Sequence, residues 1–198
     1  MLDEAPLLRA ALTHVERNRM RPWGVHGVAH WWRVRHNALA LAPLTGADDA
    51  VVRLFAIFHD SHREDDFADP QHGPRAAEWL TRVREGVSEG SEEGAPYDGT
   101  RAAVAALADA QFEALRAACA LHTSTLHHDD PTVATCFAAD RLDLWRVGRR
   151  PNPKYIPIAP SILTAEVIAE AIARTEAGLR WTDLAEFTRL WQIEPPSR

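Results

Sequence analysis

The sequence has few cysteines, no long apolar run and no excess of positive charge. Its two cysteines, Cys119 and Cys136, lie in apolar stretches with helical spacing. This argues against a disulfide scaffold and predicts two buried free thiols. No apolar segment has the length of a membrane span, and residues 1–20 do not have the pattern of a signal peptide. We therefore expect a cytoplasmic protein that has no membrane partner.

The charge balance of the chain is acidic. Lysine and arginine total 22 against 28 aspartates and glutamates, which gives a formal net charge of −6 at pH 7. Such a chain offers no general attraction to a nucleic acid polymer, so we expect none as a partner. The best candidate for a local basic patch consists of Arg141, Arg146, Arg149, Arg150 and Lys154.

Alternating runs of β-branched residues are almost absent, whereas apolar residues recur at helical spacing. From these apolar residues and their flanking caps and prolines, helices are predicted near 7–15, 28–41, 48–58, 74–80, 101–121, 133–147, 162–174 and 182–191. The segment 85–100 is rich in Gly, Ser and Glu and is predicted to be an exposed loop. The four prolines of 149–161 exclude a continuous helix there. The pattern predicts an all-α fold, with residues 1–198 forming a single domain.

Histidine and aspartate side chains are placed where the predicted helices end. His30 lies near the start of the second helix, His59-Asp60 ends the third, and His122 ends the helix predicted over 101–121. Asp140 lies within an apolar helical segment, where a carboxylate is costly to bury unless it is paired or binds a metal. Each residue taken singly has a structural interpretation as a cap or packed side chain, but the joint set predicts a metal site.

The main alternative to a metal ligand for Asp140 is an ordinary ion pair, with Arg33 or Arg141 as its partner. For a metal site, neutral imidazole together with carboxylate suits Mn, Fe, Co, Ni or Zn, with Mg as a further alternative. One or two ions fit the residues. A dinuclear site would clamp a phosphate and lower the pKa of a bridging water, which would give a hydroxide nucleophile at neutral pH.

The order of these residues resembles the HD-domain superfamily of metal-dependent phosphohydrolases, which are all-helical. The resemblance is carried by HGVAHWWRV at 26–34, an HxxxHxxRV pattern, by FHD at 58–60, and by ADRLD at 139–143. It covers roughly residues 23–150 and leaves 151–198 as a C-terminal helical extension. The resemblance implies a single HD-type helical bundle.

The resemblance also implies a set of metal ligands. Those of a first metal ion are His30, His59, Asp60 and Asp140. Some members of the superfamily carry two further histidines that complete a dinuclear site. His72, in HGPRAA at 72–77, and His122 are similar to these, so we expect them to bind a second ion or to contact phosphate.

The residues after His59-Asp60 depart from the superfamily, in which Ile-Gly-Lys or Ile-Gly-Arg is common. Here Ser61-His62-Arg63 follows, and Arg63 keeps a cation that could meet a phosphate in bidentate geometry. His62 is interpreted either as a surface residue or as an added substrate contact. Further candidates for catalysis or substrate binding are His26, Asp66 and Arg141.

Two other features have open interpretations. The acidic run Glu64-Asp65-Asp66 reads either as a solvated loop or as the source of a general acid or base. Trp31, Trp32 and Trp145 could stack on a nucleobase or form the wall of the core.

The sequence thus predicts a metal-dependent phosphohydrolase that acts on a small phosphorylated substrate, with a nucleotide as the first expectation. It does not distinguish a phosphomonoesterase from a phosphodiesterase, although the absence of a GYP triad disfavours one cyclic-di-GMP phosphodiesterase subtype. Two alternatives stay open: a non-catalytic nucleotide-sensing or interaction module on the same scaffold, and a di-iron oxygenase. The oligomeric state does not follow from the residues.

Overall fold

The computed structural model describes residues 2–87 and 95–196. Within these ranges it contains nine α-helices and no strand, which confirms the predicted all-α class. The helices are α1 (Glu4–Arg17), α2 (Val28–Thr45), α3 (Asp49–Phe58), α4 (His72–Glu85), α5 (Ala95–Ala105), α6 (Asp109–Leu121), α7 (Pro131–Leu142), α8 (Ala165–Ala177) and α9 (Leu184–Trp191). None of the helices so described is both long and apolar enough to cross a membrane.

The most apolar helix, α3, occupies the centre of the molecule. Asp48 caps it by accepting the backbone N–H groups of Ala50 and Val51, at 2.9 and 3.0 Å. The helix packs between α2, α6 and α7 and buries nearly all of its side chains. Burial of an apolar helix is favourable in proportion to the area removed from water, so α3 brings the residues that follow Phe58 into the interior.

Large aromatic side chains fill the core around α3. Trp31, Trp32, Phe55, Phe58 and Phe137 are completely buried. Because neither face of the Trp31 or Trp32 ring is exposed, these two residues form the wall of the core. The alternative prediction, that they stack on a nucleobase, is wrong. The two cysteines are confirmed as buried free thiols, and burial raises the pKa of both.

The helical region predicted over 101–121 consists of two helices, the end of α5 and the whole of α6. At the break between them the Gln111 side chain accepts the N–H of Ala108 at 2.9 Å and donates to Asp48 at 2.6 Å. Residues 95–100 belong to α5 and are not loop; the rest of that loop prediction, at 88–94, lies outside the described residues. Gly99 lets α5 approach α1, since a Cβ there would lie 2.6 Å from Cβ of Pro6.

The C-terminal third follows the predicted order with shifted boundaries. The helix predicted over 133–147 ends at Leu142, and a 3₁₀ turn, Leu144–Val147, continues it. The proline-rich segment contains one further 3₁₀ turn, Pro153–Tyr155, and no α-helix. The turn Leu144–Val147 packs against α8, which places it beside the end of α7 that carries Asp140.

Candidate metal centre

The predicted ligands of the first metal ion converge from three helices. His30 lies in the first turn of α2, His59 and Asp60 directly follow α3, and Asp140 lies in α7. The backbone of His59 stays helical and donates to the carbonyl of Phe55 at 2.9 Å, so the end of α3 holds this side chain rigidly. The side chain of Asp140 is 13% exposed and the other three are at most 3% exposed.

The ligand atoms of His30, His59 and Asp60 are spaced as the ligands of one ion. The Nε2 atom of His30 lies 3.1 Å from Nε2 of His59, 3.5 Å from Oδ2 of Asp60 and 3.4 Å from Oδ1 of Asp140. With metal–ligand bonds of about 2.1 Å, neighbouring ligand atoms are about 3.0 Å apart in an octahedron and about 3.4 Å apart in a tetrahedron. The observed spacing of His30, His59 and Asp60 therefore fits a single ion, and Asp140 lies next to this group through its 3.4 Å approach to His30.

A second group of ligand atoms faces the other oxygen of Asp60. Oδ1 of Asp60 lies 3.0 Å from Nε2 of His72 and 3.9 Å from Nε2 of His122. The two imidazole nitrogens are themselves 2.9 Å apart. His72 opens α4 and His122 follows the last residue of α6, so the packing of α4 on α6 brings them together. Asp60 thus lies between two groups that could each hold a metal ion.

The hydrogen bonds of the histidines determine which ring nitrogen is free to bind a metal. Nδ1 of His59 lies 3.1 Å from the carbonyl of Phe55, Nδ1 of His122 lies 2.8 Å from that of Cys119, and Nδ1 of His72 contacts the carbonyl of Asp69. A carbonyl only accepts, so each Nδ1 carries a hydrogen, and in the neutral ring each Nε2 then presents a lone pair. 

The result is that paired lone pairs face each other inside the protein. Nε2 of His72 and Nε2 of His122 cannot donate to one another across 2.9 Å when both hydrogens are on Nδ1. Two buried lone pairs at this distance repel, and a proton or a metal ion beside them relieves the repulsion. Nε2 of His30 also lies 3.1 Å from Nε2 of His59, and there a protonated His30 can donate to His59.

Asp143, to which the sequence analysis assigned no role, orients His30. Its Oδ2 accepts from Nδ1 of His30 at 2.7 Å, and its Oδ1 accepts from Nε of Arg33 at 2.6 Å and from the hydroxyl of Thr175 at 2.7 Å. Burial alone would raise the pKa of Asp143, but His30 and Arg33 lower it to about 2. A carboxylate that holds the second nitrogen of a ligating histidine is a common feature of metal sites. Its spacing of three residues from Asp140 is the signal that could have found it.

The ion pairs predicted as the alternative for Asp140 do not form. Arg33 pairs with Asp143, and the nearest guanidinium to Asp140 is that of Arg146, with Nη2 3.7 Å from Oδ1. Arg141 makes no ion pair with Asp140 and donates to four backbone carbonyls, those of His122, Thr125, Leu126 and Tyr155. These bonds assign Arg141 to holding the loop after α6, while its contact with a substrate stays a prediction.

The electrostatics of the cluster favour a cation. Histidines hold the pKa of Asp60 and of Asp140 below its ordinary value of 3.8, although burial alone would raise it. Burial lowers the pKa of His59 to about 3. For His30 the opposing effects are larger. Burial and Arg146 favour a lower pKa, but hydrogen bonds to three carboxylates outweigh these two effects, and the pKa is raised to about 9. The carboxylates therefore draw positive charge to the position that a metal ion would occupy.

A cavity of about 900 Å³ opens beside the ligands. Asp60, His72, His122 and Asp140 line it, and so do the candidates His26, Arg63, Asp66 and Arg141. Nδ1 of His26 lies 3.4 Å from Oδ1 of Asp66, and burial lowers the pKa of His26 to about 4. Nη1 of Arg63 lies 3.3 Å from Oδ1 of Asp60. The structure thus places every predicted site residue at one centre, since His30 and His59 lie directly behind the lining ligands.

His62 is not a surface residue, so the first of its two predicted roles is wrong, while a substrate contact stays a prediction. The residue is buried and is absent from the cavity lining. Its ring lies 4.0 Å from that of His14, and its Nδ1 lies 2.9 Å from the hydroxyl of Ser61. Arg75 donates to the His62 carbonyl, which holds the loop after Asp60 against the core.

The described residues therefore form two adjoining ligand groups that share Asp60 and open on one cavity. Imidazole and carboxylate donors together fit Mn, Fe, Co, Ni or Zn and do not select among them. Comparisons with models of protein families, with curated proteins and with solved structures found no match to this chain.

Proposed function

We propose that this chain is a metal-dependent phosphohydrolase of the HD type that acts on a small phosphorylated substrate. The observation that supports this most strongly is Asp60, whose two oxygens face two separate histidine pairs at the edge of a cavity. A shared carboxylate between two ligand groups is suited to two-metal hydrolysis of phosphate esters. Nucleotides are the first class of substrate to test, in keeping with the resemblance of the sequence.

The residues of the centre suit hydrolysis at phosphorus. Divalent ions, when bound, would neutralise charge on the phosphoryl oxygens and lower the pKa of a water molecule. Arg63, beside Asp60, is placed to donate to a phosphoryl oxygen. In the reaction the water oxygen bonds to phosphorus, the P–O bond to the leaving group breaks, and the leaving oxygen takes up a proton. His26 and Asp66, which pair on the cavity wall, are the candidates for moving protons.

The rigidity of the ligands also supports an enzyme. Three of the four histidines have Nδ1 on a backbone carbonyl, and the fourth, His30, has it on Asp143. Side chains held in this way keep their geometry while charge develops in a reaction, which is where fixed dipoles and ions have most effect. A module that only senses a nucleotide does not need six converging histidine and aspartate side chains, so we place this alternative second.

The di-iron oxygenase is kept as an alternative because of the same bridging position of Asp60. Mixed imidazole and carboxylate ligands suit iron as well as manganese or zinc. Oxygen uptake by the iron-loaded protein, without release of phosphate from any ester, would favour this alternative over hydrolysis.

The test is metal analysis of protein purified without chelator, followed by a phosphatase screen with Mn, Fe, Co, Ni, Zn and Mg. In the variant Asp60→Asn, both ligand groups lose the shared carboxylate. We expect bound metal to be lost and phosphatase activity to fall by roughly 1000-fold, since the charge stabilisation by the ions amounts to several kcal/mol.

The matched control is Asp129→Asn, which changes an exposed aspartate outside the cavity. Circular dichroism of both variants checks that the helices are intact. Full metal content in Asp60→Asn would contradict the site, and metal binding without turnover of any phosphate ester would contradict the proposed activity.

A further inference from the structure

Arg146 is a largely buried arginine that pairs loosely with Asp140 and makes few hydrogen bonds. It lies in the 3₁₀ turn after α7, its side chain is 9% exposed, and it lines the cavity. Nη1 donates to the carbonyl of Asp143 at 3.2 Å. Nη2 is 3.7 Å from Oδ1 of Asp140, which is too long for a hydrogen bond, and Nε is buried without a partner among the described residues.

Arg84 and Arg174 also have a buried nitrogen without a partner among the described residues, but neither of them lines this cavity. The more deeply buried arginines are paired where they lie. Arg33 binds Asp143 and Arg35 binds Glu4, each with two donor nitrogens, and Arg141 binds four carbonyls. Because an unpaired buried donor is costly, a guanidinium left open at the wall of a cavity indicates an anion as its partner. Arg146 therefore has the properties of a binding residue.

Arg63 provides a second guanidinium at the other ligand group. Arg146 lies beside Asp140, which faces His30 and His59, whereas Arg63 lies beside the Asp60 oxygen that faces His72. The hydrogen bonds of Arg63 use Nε and Nη1. The two cations thus flank the two groups of ligand atoms, and both line the cavity.

Two flanking guanidiniums suit the charge of a phosphomonoester. A phosphomonoester carries a charge of about −1.5 to −2 at pH 7 and three terminal oxygens that accept hydrogen bonds. A phosphodiester carries a single negative charge and has two such oxygens, so it cannot use every donor. The pairing of arginine with phosphate is strong because the guanidinium donates two parallel bonds.

On this basis, which rests on the proposed phosphohydrolase function, we propose that Arg146 binds the substrate phosphoryl group and, with Arg63, selects phosphomonoesters over phosphodiesters. Exposed apolar side chains at the cavity, including Phe67 and Tyr155, offer a surface to the leaving group. An aromatic leaving group is therefore the appropriate probe.

The experiment compares the metal-loaded wild type with Arg146→Gln and Arg146→Lys. Binding of inorganic phosphate is measured by calorimetry, and kcat/KM is measured for p-nitrophenyl phosphate and for bis(p-nitrophenyl) phosphate. We expect Arg146→Gln to weaken phosphate binding by about 10- to 100-fold, as the loss of a charge-assisted hydrogen bond does. The monoester kcat/KM should fall comparably, while the diester kcat/KM changes little and metal content is unchanged. Arg146→Lys should restore part of the phosphate affinity.

The control is Arg150→Gln, in the same loop but outside the cavity lining, which should leave both measurements unchanged. Unchanged phosphate affinity in Arg146→Gln, or equal losses for both esters, would overturn the assignment. Loss of bound metal in both Arg146 variants would also overturn it, since Arg146 would then act by positioning Asp140. Failure of the wild type to hydrolyse either ester would count against the proposed function, whereas phosphate binding would still decide whether Arg146 is its site.

Discussion

Asp60 is the residue on which both ligand groups depend, because each of its oxygens faces a different pair of histidines. Its position directly after α3 is what allows this: His59 is still in helical conformation, and the chain leaves the helix at Asp60. Successive residues of a helix diverge by about 100° around its axis, so two neighbouring ligands converge most easily at a helix end. Helix geometry therefore explains why His59 and Asp60 lie at the end of α3.

The two ligand groups should be separable by substitution of one histidine. In His72→Gln the second group loses a ligand, whereas the first keeps His30, His59, Asp60 and Asp140. We expect bound manganese to fall from two ions to one, measured by calorimetric titration and elemental analysis. The exposed His127, changed to glutamine, serves as the control. Two ions retained in His72→Gln would show that the second ion lies elsewhere.

At the scale of elements, the close approach of α4 to α6 forms the second group. Gly73 makes this approach feasible, because a Cβ there would lie 2.3 Å from the carbonyl oxygen of Cys119 and 3.1 Å from the ring of His122. In the segment HGPRAA, the family resemblance gives a role to the histidine alone. The glycine beside it has an equally definite role, since it sets the distance between the helices that carry His72 and His122.

The substitution Gly73→Ala should force α4 away from α6. We expect a loss of about 1–3 kcal/mol in the free energy of unfolding, as for an overpacked core, and weaker binding of the second metal ion. Urea denaturation of the metal-free protein gives the first quantity and metal titration the second. Glu78→Ala, at an exposed position of the same helix, should leave both nearly unchanged. Equal stability and equal metal affinity in Gly73→Ala would contradict this account of the interface.

At the scale of the whole molecule, Glu4 joins distant parts of the chain. It is 2% exposed and accepts from Arg35 of α2 at 2.7 and 3.0 Å, from Arg53 of α3 at 2.9 Å and from the indole of Trp191 in α9 at 2.7 Å. One carboxylate thus holds α1 and α9 to α2 and α3, which carry part of the candidate metal centre. Such a group is stabilising only while all of its partners are in place.

Removal of this charge should destabilise the protein in a pH-dependent way. Glu4→Gln leaves the buried Arg35 without a carboxylate and leaves Arg53 with Asp49 alone, and we expect a loss of about 3–5 kcal/mol at pH 7 by urea denaturation. Burial raises the pKa of Glu4, but Arg35, Trp191 and Arg53 together hold it below its ordinary value of 4.5.

The sign of the pH dependence follows from that lowered pKa. The unfolded chain takes up the proton more readily than the folded chain, so the stabilisation by Glu4 is present above pH 4.5 and is lost as the pH falls through the lower folded value. The difference between the wild type and Glu4→Gln should therefore shrink on acidification below pH 4.5. Glu16→Gln, at an exposed position of α1, is the control, and a constant difference would argue against an ionised Glu4.

The sequence by itself predicted the all-α class, which the structure confirms, because helical periodicity is a local property of the chain. It also supplied the candidate ligand residues, through the resemblance of their order to the HD-domain superfamily. The Asp48 cap and the apolar run of α3 define that helix from neighbouring residues, and His59-Asp60 follows directly. Where local signals misled, packing was the cause: Gly99 reads as a loop residue, but it lies in α5 against Pro6. The predicted single domain over 1–198 and the HD relationship stay predictions.

Tertiary structure alone decided how the ligands are arranged and oriented. His30 and Asp143 are 113 residues apart in the chain, so no local pattern shows that one holds the other. The same is true of His72 and His122, whose 2.9 Å contact depends on the packing of α4 on α6. The exposure of Arg146 to the cavity likewise depends on where the turn after α7 lies relative to the ligand groups. Ligand identity is a property of the residue type, whereas ligand geometry is a property of helix packing, and only the packing places the lone pairs and charges together.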